Sequence, residues 1–134
     1  MGYQKLEAAR LKVTIQRMAI LEFLEETKVH PSVEIVYKKI KAKYPRITLS
    51  TIYNTLETFA EKKIINKVFT PDGKTKYDGN TKKHHHFYDK SSGKITDIYD
   101  AELNELITNY LKNKEFENIE IENYQVDFIG KIKT

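Results

Sequence analysis

The chain contains no cysteine. That excludes disulfides, thiolate zinc clusters and thiol redox chemistry. It has no apolar run of about 18 residues, so no transmembrane helix and no membrane partner are expected. The stretch Met1 to Arg10 is charged and lacks an apolar h-region, so no secretory signal is expected and the compartment is the cytoplasm. Internal repeats and low-complexity tracts are also missing. Histidine is scarce, with four in the chain, yet three of them stand together at His84-His85-His86.

What is present is 134 residues, 40% of them hydrophobic, enough for one domain or two small ones. The net charge of +4 is unevenly spread. Residues 1–74 hold 14 Lys/Arg against 8 Asp/Glu, and residues 75–134 hold 9 against 11. A basic half suits a phosphate backbone, although the same distribution also serves solubility.

The first half reads as helices. Thr14 can cap a helix whose stripe is Ile20, Phe23, Leu24 and Thr27. His30-Pro31 interrupts it, because a residue before proline is pushed out of the α region. Ser32 can cap a second helix with Val33, Val36, Tyr37 and Ile40 inward, ending near Pro45. Ser50 opens a third, with Ile52, Leu56, Phe59 and Ala60 facing the core. Ile64 to Thr70 and Lys74 to Asp78 read as strands around the turn Pro71-Asp72-Gly73. Three helices and a hairpin predict a winged helix, a helix-turn-helix variant, over residues 1–79.

Polar Gly79 to Lys83 marks the boundary. Residues 80–134 read as a hairpin (His84 to Asp89, Lys94 to Tyr99), a helix capped by Asp100 and a last strand from Glu120 to Ile129. The fold class is therefore α+β, with a small C-terminal α/β domain. So short a segment buries little surface alone. A homodimer is expected to supply the rest.

On the third helix, Ser50, Thr51, Tyr53 and Asn54 lie away from the core. Small hydroxyls allow close approach to a groove. Asn54 can bond adenine edges, and Tyr53 can pack on thymine methyls or bond phosphates. Lys12, Arg17, Lys41, Lys43 and Arg46 can hold phosphates. The blander reading of this face is a polar surface that meets only water.

The histidines pose a different question. In a strand His84 and His86 share a face, about 7 Å apart at the backbone, and His85 points away. If Ser91-Ser92 form a two-residue loop, His86 opposes Asp97. If Gly93 makes a three-residue loop, the register slips by one and Asp97 can turn away. Asp78 ends the wing strand, and His30 precedes a helix. A site of His30, Asp78, His84, His86 and Asp97 has three nitrogens and two oxygens and ties the domains together. Such donors suit Fe²⁺ or Mn²⁺, and also Zn²⁺, Ni²⁺ or Co²⁺. The competing readings are an adventitious binder, solvated imidazoles, or the facial triad of a non-haem iron enzyme. The last needs open positions and a substrate pocket, and five protein ligands leave at most one position.

Taken in order, Lys12 to Arg17, His30-Pro31-Ser32, Leu49 to Leu56, Lys76-Tyr77-Asp78, His84-His85-His86 and Gly93 to Asp97 resemble the ferric-uptake-regulator family of bacterial metalloregulators. They are most similar to its peroxide-sensing (PerR) branch. The resemblance implies a homodimeric, metal-dependent repressor, not an enzyme, on an inverted-repeat double-stranded operator. It implies the same five ligands, with Fe²⁺ or Mn²⁺ resident and Zn²⁺ able to substitute in a purified sample. It places the reading helix at 50–62, with Tyr53 and Asn54 at base-contacting positions. Asp97 resembles the peroxide-sensing members, since iron sensors usually carry Glu there. In that branch Fe²⁺ and hydrogen peroxide oxidise a ligand histidine and DNA is released, which makes His30 and His86 the oxidation-sensitive candidates.

The sequence also departs from the family. Relatives commonly hold a structural zinc with two Cys-x-x-Cys pairs. Here Asp89 and Ser92 occupy the first pair's positions and the second pair is missing, so no structural zinc is expected. Apolar packing of the last strand and helix is expected to replace it. A histidine used for an accessory site is absent near Asn123-Tyr124, leaving His85 without a metal role. Lys12 stands where arginine is usual.

Overall fold

A computed structural model describes residues 2–133. It divides into two units, one running to Thr81 and one from Lys82, two residues beyond the boundary expected from sequence.

The first unit contains α1 (Gly2–Ala8), α2 (Ile15–Glu26), α3 (Val33–Lys43), α4 (Leu49–Glu61), β1 (Asn66–Phe69) and β2 (Thr75–Asp78). Helix α1 has no counterpart in the sequence reading. It is short and is held by one fully buried residue, Leu6, packed in the core with Leu21 of α2. Arg10, at φ 60°, closes it: its N–H bonds Glu7 O, and Leu11 N–H bonds Leu6 O.

Helix α2 starts as expected, with Thr14 Oγ1 accepting from Arg17 N–H at 3.1 Å. Helix α3 starts at Ser32, whose Oγ accepts from Ile35 N–H at 3.4 Å. The start of α4 differs. The cap is Thr48, not Ser50; its backbone is extended, and its Oγ1 accepts from Thr51 N–H at 3.1 Å. Ser50 is therefore an exposed residue of the first turn. Ile52, Leu56 and Phe59 are fully buried against Ile20, Leu21 and Val36. Fully burying one such side chain contributes about 1.5–3 kcal/mol.

The wing is antiparallel, pairing Asn66 with Asp78, Lys67 with Tyr77 and Phe69 with Thr75. Its strands are shorter than expected, because Ile64, Ile65 and Thr70 lie outside the ladder. Gly73 (φ 81°) makes the turn. Asp72 Oδ1 accepts from Lys74 N–H at 3.0 Å and also bonds the Thr70 hydroxyl. The Thr70 hydrogen bond, then that of Lys74, holds its carboxyl below the usual range.

The second unit contains β3 (His85–Asp89), β4 (Ile95–Ile98), α5 (Ala101–Lys112) and β5 (Asp127–Gly130), with sheet order β4-β3-β5. β3 and β4 are antiparallel, β3 and β5 parallel. Asp100 caps α5 through Leu103 N–H at 3.0 Å. The last strand spans four residues, far fewer than the alternation over 120–129 suggests, because 121–126 pair with no neighbour in a ladder.

No residue of α5 is buried, and Leu106, Tyr110, Phe128 and Ile129 are all exposed. In a single chain the apolar packing expected in place of structural zinc is therefore not formed. Asp89 and Ser92 instead build a hydrogen-bonded turn. Asp89 accepts from Ser92 Oγ (2.7 Å) and Ser91 N–H (3.0 Å), and Gly93 N–H bonds Asp89 O at 2.8 Å.

Candidate functional site

The structure takes its β3–β4 register from one alternative and its glycine geometry from the other. His86 opposes Asp97 and His85 opposes Ile98. The connection is nevertheless closed by Gly93 in the left-handed region, φ 75°. The Asp89 turn absorbs the extra residues, so the glycine does not shift the register.

In the second unit this register gathers three donors. Asp97 Oδ1 lies 3.4 Å from His84 Nε2 and 3.5 Å from His86 Nε2. Donor atoms of the three residues all lie within 4.8 Å of one another. Both imidazoles are buried, at 5% and 2% exposure. Each separation exceeds the roughly 2.7–3.2 Å of a good N–H···O bond. Two ligands about 2.1 Å from one ion, at 90–110°, lie about 3.0–3.4 Å apart. These contacts match that spacing better than they match hydrogen bonding.

The surroundings of the rings agree. His84 Nδ1 lies 2.6 Å from Lys82 O. A carbonyl only accepts, so Nδ1 carries a proton, which makes Nε2 the ring's ligand atom. Tyr99 stacks on the His84 ring at 5.6 Å. Behind His86, Asp127 Oδ1 lies 3.5 Å from Nδ1, brought there by the parallel pairing of β3 with β5. Sequence reasoning missed Asp127. Its only signal is a carboxylate on a strand whose partner and direction no local pattern discloses.

In the first unit His30 and Asp78 meet. His30 Nε2 lies 3.4 Å from Asp78 Oδ2, with both side chains under a tenth exposed. Two local devices place them. Tyr77 N–H bonds Pro31 O at 2.9 Å, which docks the His30 loop on β2. Asn80 N–H bonds Asp78 Oδ1 at 2.9 Å, which turns Oδ2 to His30. Gly79 is indispensable to this, since a Cβ there would stand 2.5 Å from Leu24 O.

His85 has both ring nitrogens engaged by neighbours. Its Nδ1 accepts from Val126 N–H at 3.0 Å, so Nε2 carries the proton and donates to Asn104 Oδ1 at 2.5 Å.

The polar face expected to read DNA is exposed. Tyr53 is 49% exposed on α4, and Ser50, Thr51 and Asn54 are exposed. Arg17, Lys43, Arg46, Thr48 and Thr51 line a cleft of about 700 Å³. Lys12 is exposed, and its carbonyl accepts from Arg17 Nη1 at 2.8 Å, which holds the guanidinium beside the helix start.

A winged helix followed by a small α/β unit, with imidazoles and carboxylates gathered in each, is the architecture of a DNA-binding metalloregulator. The Ferric uptake regulator family pattern matches residues 8–128, and the chain belongs to that family. It is 34% identical over 101 residues to the peroxide-responsive repressor PerR of Staphylococcus aureus, covering 75% of this chain and 68% of that one. Among solved structures it is similar to the Campylobacter jejuni peroxide stress regulator (28% identity, TM-score 0.77, 100% and 98% covered). It is also similar to the iron-bound ferric uptake regulator of Francisella tularensis (25%, TM-score 0.73, 92% of each). Proteins of this family are transcriptional regulators. Among the described residues no helix is long and apolar enough to cross a membrane.

Proposed function

We propose that the chain is a metal-dependent, DNA-binding repressor that answers hydrogen peroxide by oxidation of a ligand histidine and release of DNA. His30, Asp78, His84, His86 and Asp97 hold one divalent ion, Fe²⁺ or Mn²⁺. The observation that carries this reading is the pair of buried imidazole nitrogens on one oxygen of Asp97, at ligand-to-ligand distance. The similarity to PerR of S. aureus supports the peroxide response.

Bound iron supplies the one-electron chemistry that activates peroxide, which manganese does not. The chain's own residues supply the rest. Lys82 O fixes the tautomer of His84, Asp127 backs His86, and burial keeps bulk water off His30, Asp78, His84 and His86. An imidazole that has gained oxygen is a poorer donor, so the ion is lost. His30 and His86 are the candidates for that change.

Holding one ion fixes the winged helix of each copy for an inverted-repeat operator. The dimer forms through the exposed apolar residues of α5 and β5, with no structural zinc. The second reading is a metal-uptake regulator indifferent to peroxide, which the likeness to the Francisella regulator favours.

The test loads the protein with Fe²⁺ or Mn²⁺, adds peroxide, and follows DNA binding and intact mass. The iron form is expected to gain one oxygen atom on a ligand histidine and to lose DNA, with the manganese form unchanged. Peptide mapping of His30, His84 and His86 assigns the site. Equal retention of DNA by both forms would favour the metal-only reading.

A further inference from the structure

The wing and the reading helix meet at one carboxylate. Glu57 lies on α4 one helical turn after Tyr53, hence on the same face. Its Oε1 is 2.6 Å from Lys67 Nζ on β1, and its Oε2 accepts from Tyr77 Oη on β2 at 2.8 Å. Lys67 and Tyr77 are directly opposed in the wing register. A single side chain therefore spans both strands at one rung.

The contact is made to last. Tyr77 is 2% exposed, so its hydroxyl depends on Glu57 for a partner. Burial works against the Glu57 carboxylate, but hydrogen bonds from Lys67 and Tyr77 outweigh it and hold its pKa down. Alternation along β2 then does something specific. Tyr77 reaches the reading helix, and the next residue, Asp78, reaches His30.

We propose that Glu57 is a positioning residue for DNA reading, joining the recognition helix and both wing strands, the one that ends at Asp78 included, into one body. This rests on the DNA-binding reading above. A helix lying in a major groove with its wing on the adjoining backbone reads sequence only if their angle is fixed. Losing the joint should cost discrimination between sequences more than general attraction to DNA, which comes from lysines and arginines elsewhere on the unit.

The test uses the whole chain with saturating Mn²⁺ and double-stranded DNA selected by the wild type from a random pool, beside unselected DNA of equal length. Tyr77→Phe removes one oxygen from a buried ring. It is expected to weaken binding to selected DNA about tenfold, as for a lost hydrogen bond to a charged group. Binding to unselected DNA should stay near wild type, while the lost hydrogen bond should lower the melting temperature by roughly 5–10 °C. Glu57→Ala should lose as much or more. Glu57→Gln keeps an acceptor for Tyr77 and should recover part of the loss. Combining Glu57→Ala with Tyr77→Phe should cost no more than Glu57→Ala alone.

The proposal is overturned if Tyr77→Phe binds selected DNA like wild type, or weakens both DNAs equally. Additive losses in the double variant would overturn it too. If the wild type selects no DNA, the functional reading falls and takes this proposal with it. If the wild type selects DNA and the variants do not differ from it, only the joint is wrong.

Discussion

Gly79→Ala tests how the Asp78 end of the wing is held. The added Cβ would stand 2.5 Å from Leu24 O, 2.6 Å from Leu24 C and 3.0 Å from Glu25 N. All three are backbone atoms, so no side chain can rotate away. Restoring an ordinary contact of about 3.5 Å needs a shift of about 1 Å between the end of β2 and the last turns of α2. Overpacking typically costs about 1–3 kcal/mol and more where the backbone must move. A loss near 3 kcal/mol in a unit of this size lowers the melting temperature by at least about 10 °C. Asp78 is the adjacent residue, so Mn²⁺ affinity should fall as well. Gly73→Ala is the control. Its Cβ meets nothing within 4 Å, and only the positive φ opposes it. That costs about 1–2 kcal/mol and leaves Mn²⁺ binding intact. Circular-dichroism melting and calorimetric Mn²⁺ titration measure both effects. The reasoning is refuted if Gly79→Ala melts within a few degrees of wild type and binds Mn²⁺ equally well.

Three further outcomes follow from particular residues. Asp97→Glu should keep metal-dependent DNA binding and lose the response to peroxide, read by DNA retention in the iron form before and after oxidant. Thr48→Ala removes the cap of α4 and should cost about 1 kcal/mol in denaturant unfolding, while Ser50→Ala costs little. The Asp89 carboxyl is held below its usual range by Ser92 Oγ and then by Ser91 N–H. A depressed folded pKa contributes stability above the unfolded value, near 4, and loses it as pH falls through the folded value. Wild type should therefore lose stability on acidification below about pH 4 more steeply than Asp89→Asn, measured as unfolding midpoint against pH.

The sequence made the winged helix legible because its signals are local. Apolar spacing gave α2, α3 and α4, and Thr14 and Ser32 sit where capping chemistry requires. Helix α1 was hidden because a helix so short forms only through tertiary packing, here of Leu6. Ser50 reads as the start of α4 because serine is a good cap; Thr48 two residues earlier caps equally well, and only its extended backbone marks it as the cap. Residue spacing allows the opposition of His86 and Asp97 as one of two registers. The deciding fact, that Asp89 folds the connection around its own carboxylate, lies in hydrogen bonds that spacing does not encode. No local pattern marks Asp127 or Glu57, for the same reason. Each acts across a contact between distant strands or between helix and strand.

The central claim is that His30, Asp78, His84, His86 and Asp97 share one ion. Anomalous scattering from crystals of the Mn²⁺-loaded protein addresses it directly. The account predicts one manganese per chain, with donor atoms of all five side chains about 2.0–2.3 Å away. Manganese held elsewhere, or on His84, His86 and Asp97 with His30 and Asp78 outside its reach, would contradict it.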